Sequence, residues 1–133
     1  MSKVKFSLKQ QEMLRKAQIL IDEKAIDYVD QLRHHIHSLK KSLGSNNLEA
    51  AIQTCHHMQG QAGTFGWPLA TEIAGWFKRT LNLQQKSHMD KRTNEIFLAS
   101  LEKMVKNNLR SHCIDALKLL QSIEAALAKK STP

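Results

Sequence analysis

Thr54-Cys55-His56-His57-Met58-Gln59-Gly60-Gln61-Ala62-Gly63-Thr64-Phe65-Gly66 sets a histidine pair ahead of three of the chain's five glycines. A solvent-facing imidazole offers a ring nitrogen that can attack an electrophile, carry a proton or bind a metal. Upstream, Asn46-Asn47 followed by Glu49 reads as a helix N-terminus, so the pair sits on a helix. At about 100° per residue, Leu48, Ala51, Ile52, Cys55, Met58, Ala62 and Phe65 gather into one apolar stripe. His57 then points away from the stripe and His56 stands at its margin. Gly60 follows one turn beyond His56, with Gly63 after it. A mid-helix glycine costs about 1 kcal/mol relative to alanine. The reason read here is close approach: bare backbone beside an exposed imidazole leaves a notch through which another molecule reaches a nucleophile.

With those residues in place, the run resembles the histidine-containing phosphotransfer (HPt) domain of bacterial and plant phosphorelays. The motif of that family is a histidine, two residues, Lys-Gly, a small residue, and a glycine after a hydrophobic residue. The matching positions are His56, Gly60, Ala62 and Phe65-Gly66, while Gln59 stands where the family has lysine. Gly60 is four residues after His56 and three after His57, which selects His56 as the acceptor. The resemblance covers about residues 20–128.

It implies a phosphocarrier, not a self-sufficient enzyme. His56 would take a phosphoryl group from a receiver-domain aspartate and pass it to another receiver. Gln53, His57, Gly60, Gly63 and Thr64 would border the docked receiver, and Ala62, Phe65 and Gly66 would shape the motif. Mg²⁺ would come with the receiver, leaving no metal or cofactor for this chain to hold. A cytoplasmic monomer is expected.

Transfer to imidazole needs a neutral ring, which an ordinary histidine with a pKa near about 6.5 supplies at cytosolic pH. Charge neutralisation and positioning carry the rest. Gln59 can donate a hydrogen bond to the phosphoryl group but brings no charge, so Lys78 or Arg79 on the next helix is expected to compensate. Replacing Gln59 by lysine should raise the transfer rate or the phosphohistidine lifetime. The alternatives are a degenerate HPt-like domain that docks receivers without transfer, and a basic helical nucleic-acid or metal-binding protein.

Composition bears on the last of these. The 133 residues carry a net charge of +8, which favours acidic partners. Yet the cations are spread along every segment, and one Tyr, two Trp and four Phe provide no aromatic interleaving for stacking bases. Nucleic acid is therefore disfavoured. His34-His35-Ile36-His37 places two imidazoles on one turn without a third ligand at suitable spacing, and reads as a solvated histidine-rich face. Cys55 and Cys113 form no CxxC pair and are expected as small core residues. No signal peptide or long apolar run is read, so a reducing cytosol is the expected compartment and no membrane is implicated.

The elements that position the motif follow from periodicity. Residues 1–6 and 129–133 read as basic tails of a single domain spanning 1–133. Ser7 with Gln10 forms a capping box opening a first helix with Leu8, Met13, Leu14, Ala17, Leu20 and Ile21. A break is expected at Asp22-Glu23-Lys24. A second helix runs through Ala25, Val29, Leu32, Ile36, Leu39 and Leu43, with Lys40 and Lys41 in its last turn, and ends at Gly44. After Gly66, Pro68 opens a helix burying Leu69, Ala70, Ile73, Ala74, Trp76, Phe77 and Leu81, with Trp67 at a rim. Gly75 suggests small residues facing small residues against the motif helix.

Asn82 to Lys91 reads as a loop. Beyond it, Leu98, Leu101, Val105, Leu109, Cys113, Ala116, Leu120, Ile123 and Leu127 hold one helical phase, a rod of about 50 Å whose second half needs a partner. The first helix is the expected partner, the alternatives being a break near Asn107-Asn108 that gives an extra hairpin, or dimerisation through the overhang. The expected fold is all-α: an antiparallel four-helix bundle with an additional N-terminal helix and a long C-terminal helix.

Overall fold

The computed structural model describes residues 7–111 and 114–130, the last two by backbone alone. The basic tails and Cys113 therefore lie wholly or largely outside the described residues. What is described is all-helical, with five helices and no strand: α1 (Leu8–Gly44), α2 (Leu48–Gln61), α3 (Pro68–Gln85), α4 (Lys91–Lys106) and α5 (Ile114–Lys130). Among the described residues no helix is long and apolar enough to cross a membrane.

Ser7 opens α1 through the expected reciprocal bonds, Gln10 N donating to Ser7 Oγ at 3.1 Å and Ser7 N donating to Gln10 Oε1 at 2.8 Å. The helix then continues for 37 residues without the break expected at 22–24. Nothing there forces one. No glycine or proline interrupts the backbone, and the polar triplet simply lies on the surface, where Asp22 accepts from Arg110 at 2.7 Å and from Gln18 at 2.9 Å. Asn46, at φ 56°, reverses the chain after α1. Asn47, not Asn46, is the N-cap of α2, its side chain accepting from Ala50 N at 3.0 Å.

Helix α2 stops at Gln61, so Gly63 lies in the closing turn and not mid-helix. Gly66 adopts φ 86°, the left-handed conformation that lets the chain turn into α3. The residue before Pro68 is Trp67, which is fully buried instead of sitting at a rim. Its indole N–H donates 2.8 Å to Ala25 O on α1, which satisfies the one polar atom of a large apolar ring.

Helix α3 runs on to Gln85, leaving a connection of five residues where a longer loop is expected from the sequence. The next junction is held by two buried amides. Gln84 Nε2 donates to Asn94 Oδ1 at 2.7 Å, and Asn94 Nδ2 donates back to Gln84 Oε1 at 3.0 Å. Gln84 Oε1 also accepts from Asp90 N at 3.0 Å, so the pair stitches α3, the connection and α4 together. Asp90 in turn caps α4 through Thr93. Asn107 then ends α4 and Asn108, at φ 52°, turns the chain away, so the hairpin reading of the C-terminal segment is the correct one and the single rod is not.

The four helices α1 to α4 close on themselves: α2 touches α1 and α3, and α4 touches α1 and α3. Trp67, Phe77, Phe97, Leu32, Leu39, Met58, Leu69, Ile73, Leu81, Leu101 and Met104 fill the space between them. Each such side chain contributes about 1.5–3 kcal/mol relative to exposure. Phe77 stacks on Phe97 at 4.6 Å between centroids, and half-buried Trp76 meets the same ring edge-on at 5.7 Å. Helix α5 packs on α4 through Ala116, Leu119 and Ile123. Among the described residues it makes no extended contact with α1, and Leu8, Met13, Leu14, Ile19, Leu20 and Ile21 of that helix remain exposed. The expected partnership fails because the α4–α5 turn sends the C-terminal segment back along α4.

Candidate functional site

Helix α2 presents Gln53, His56, His57 and Gly60 to solvent, and Thr64 is exposed in the turn beyond. Its opposite side buries Ala51, Cys55, Met58 and Ala62 completely. The apolar stripe is thus the expected one up to Ala62 and departs from expectation at Phe65. Because the helix has already ended, Phe65 leaves the stripe, stays 39% exposed and stacks on Tyr28 at 4.8 Å between centroids.

Three antiparallel rungs join α2 to α3. Lys78 Nζ lies 3.1 Å from Nδ1 of His56. Three residues along, a β-carbon at Gly75 would stand 2.8 Å from Nε2 of Gln59, so the glycine is the seat on which the Gln59 side chain lies. One further rung on, a β-carbon at Gly63 would stand 3.3 Å from Thr71 Oγ1. The missing side chains at Gly75 and Gly63 therefore serve the helix contact, and Gly75 accommodates a long amide where small residues were expected. Gly60 is different: nothing lies within 4 Å of where its β-carbon would be. The bare backbone one turn from His56 is open.

The ammonium of Lys78 can only donate, so Nδ1 of His56 accepts and the ring proton rests on Nε2. Lys78 is the cation expected from α3, while Arg79 is exposed and directed elsewhere on the same helix. The adjacent thiol of Cys55 is no competing nucleophile, since burial pushes its pKa up to about 12.

On the other flank α2 meets α1 through a polar seam. Tyr28 Oη donates to Gln61 Oε1 at 3.2 Å. Gln61 also hydrogen-bonds His35, whose Nε2 lies 3.4 Å from Gln31 Nε2. His35 is only 8% exposed, which corrects the reading of 34–37 as a wholly solvated face. Burial lowers its pKa; the bond from Gln61 works in the opposite direction, and the charges of His34 and His57 add to the lowering. Neither this seam nor the Gly75 seat is legible in sequence, because both depend on which turn of one helix meets which turn of the next.

Among the described residues no group of three or more His, Cys, Asp or Glu converges as a metal site. Comparison with protein-family models, with curated proteins and with solved structures finds no match to this chain.

Proposed function

We propose that the chain is a phosphocarrier of the HPt kind, folded as an antiparallel four-helix bundle of α1–α4, with His56 as the phosphoryl acceptor. The observation that carries the reading is the contact of Lys78 with the imidazole of an exposed His56 beside the open backbone of Gly60. It supplies the charge that Gln59 lacks.

In the transfer, a ring nitrogen of His56 attacks the phosphorus of a receiver's aspartyl phosphate. The N–P bond forms as the P–O bond to the aspartate breaks, and the carboxylate leaves with the electron pair. The attacking nitrogen must hold a lone pair. With Lys78 on Nδ1, the proton lies on Nε2; when an incoming phosphoryl oxygen draws the lysine away, exchange with water moves the proton to Nδ1 and frees Nε2. Attack through Nε2 leaves a cationic ring protonated at Nδ1; that proton passes to water, and the freed Nδ1 lone pair again accepts from Lys78. The lysine thus serves the resting ring, the phosphoryl oxygens and the product in turn. Gln59, held over Gly75, contributes at most a hydrogen bond. The receiver would bring Mg²⁺ and the acidic pocket.

The test is to incubate the protein with a receiver domain phosphorylated by acetyl phosphate and to look for an acid-labile adduct. The adduct is expected in the native protein and in His57→Gln, and absent in His56→Gln. A receiver that binds without forming any adduct would favour the docking-only reading. Gln59→Lys should add to transfer only modestly, since Lys78 already provides a cation.

A further inference from the structure

Between α1 and α4, across the bundle from the α2–α3 contact at His56, lies a cleft of about 420 Å³, within the size range of small-molecule sites. Its floor is buried Ile36 and half-buried Val105, both short and β-branched. Long side chains make its walls: Arg33, His37 and Lys40 from α1, Glu102 and Lys106 from α4. Residues 33, 36, 37 and 40 share one face of α1, and 102, 105 and 106 repeat the spacing on α4.

The charges in the cleft do not balance. Lys40 Nζ stands 2.5 Å from Glu102 Oε1, which occupies the carboxylate of the lining. Among the described residues neither Arg33 nor Lys106 makes an ion pair. The negative end of α4 accounts for Lys106 in its last turn. It does not account for Arg33 and His37, which lie well inside α1. Two uncompensated cations and an imidazole thus border one apolar floor, and a concave low-dielectric surface focuses their field on an anion. The neighbouring carboxylates set the size of that anion. Glu102 stands at one end, and Asp30, one turn before Arg33 on the same side of α1, borders the other. A long polyanion laid along the groove would run over both, whereas a compact one fits between them.

We propose that this cleft binds a small phosphate monoester. The guanidinium of Arg33 and the ammonium of Lys106 hold the dianionic phosphate, a ring N–H of His37 donates to it, and an apolar or planar body lies on Ile36 and Val105. The site shares no residue with the His56 surface, so it stands apart from the phosphoryl-transfer reading. Its walls are exposed side chains, and the affinity expected is modest.

Phenyl phosphate carries these two parts and nothing more. Titrated into the isotopically labelled full chain at low ionic strength, it should shift the amide NMR signals of residues 33–40 and 102–106 and saturate with a dissociation constant of about 1 mM. Inorganic phosphate, which lacks the body, should bind at least about fivefold more weakly, and phenol, which lacks the charge, should leave those signals in place. The double variant Arg33→Gln, Lys106→Gln should weaken binding about tenfold or more, with an unchanged far-ultraviolet circular dichroism spectrum. Lys16→Gln with Lys86→Gln removes the same charge from exposed positions elsewhere and should change it less than about twofold. The proposal would be overturned by the absence of shifts in the cleft, by equal losses in the two double variants, or by inorganic phosphate binding equally well. It would also fall if a short single-stranded DNA moved these signals more strongly than phenyl phosphate, together with those of the basic surface at large.

Discussion

The two flanks of α2 differ in kind. Towards α3 the helix offers an exposed imidazole, a lysine on its ring and a bare glycine turn, with the contact between helices made over glycines. Towards α1 it closes a seam of Tyr28, Gln61 and His35, anchored at one end by buried Trp67 and the left-handed Gly66. The first flank leaves an imidazole reachable, and the second fixes where that ring stands. Because the two are separated by the width of one helix, substitutions can address them independently. Chemistry should respond to the α3 side and stability to the α1 side.

The largest effect expected is at the anchor. Trp67→Ala removes a fully buried ring and its bond to Ala25 O, and should cost about 3–5 kcal/mol in urea unfolding. Lys78→Ala should slow phosphoryl transfer from a labelled receiver roughly tenfold to a hundredfold while changing the urea midpoint little. A stability loss as large as the loss of transfer would erase the contrast between the flanks. Gly66→Ala meets both a strained φ and a β-carbon 3.1 Å from Ala25 Cβ and 3.2 Å from Ile21 O; about 1–3 kcal/mol of stability should be lost, with transfer per folded molecule unchanged. Tyr28→Phe, which deletes the bond to Gln61, should cost about 1 kcal/mol and leave the stacking on Phe65 intact.

The smallest effect is that of pH. His35 holds its proton less tightly in the folded chain than in the unfolded one, so below about pH 6.5 the unfolded state binds more protons. The contribution of this residue to stability is complete above that pH and is lost as pH falls towards the lower folded pKa. Urea midpoints measured from pH 7.5 to 5 should decline, and His35→Gln should flatten the decline. A slope unchanged by that substitution would assign the effect to other histidines.

Much of the α3 flank was legible in the sequence because it depends on local pattern. Helical phase alone puts His56 at the margin of a stripe with Gly60 one turn on, and the Gly66-Trp67-Pro68 run announces the turn. Lys78 was within reach of the reading because only two cations stand on the facing stretch. The α1 flank was not legible. His35 looks like its neighbours His34 and His37 until the crossing of α1 with α2 decides which imidazole is covered. The continuous α1 was missed for a related reason: a polar triplet breaks a helix only if the backbone has somewhere better to go, and here Asp22 found Arg110 instead. In the C-terminal segment an unbroken apolar phase concealed a reversal made by Asn108, since asparagine enters the left-handed region without the signal that a glycine would give.

The paired amides Gln84 and Asn94 have a consequence for how uniquely the bundle assembles. Sliding α3 past α4 by one turn could still bury plenty of hydrocarbon, for leucine and phenylalanine tolerate many neighbours. It would strand a carboxamide on each helix in a dry interior with neither donor nor acceptor matched. The pair thus discriminates against misaligned hairpins more than it deepens the correct one. It keeps the spacing of the α3 side chains true, and among them the lysine that reaches across to α2.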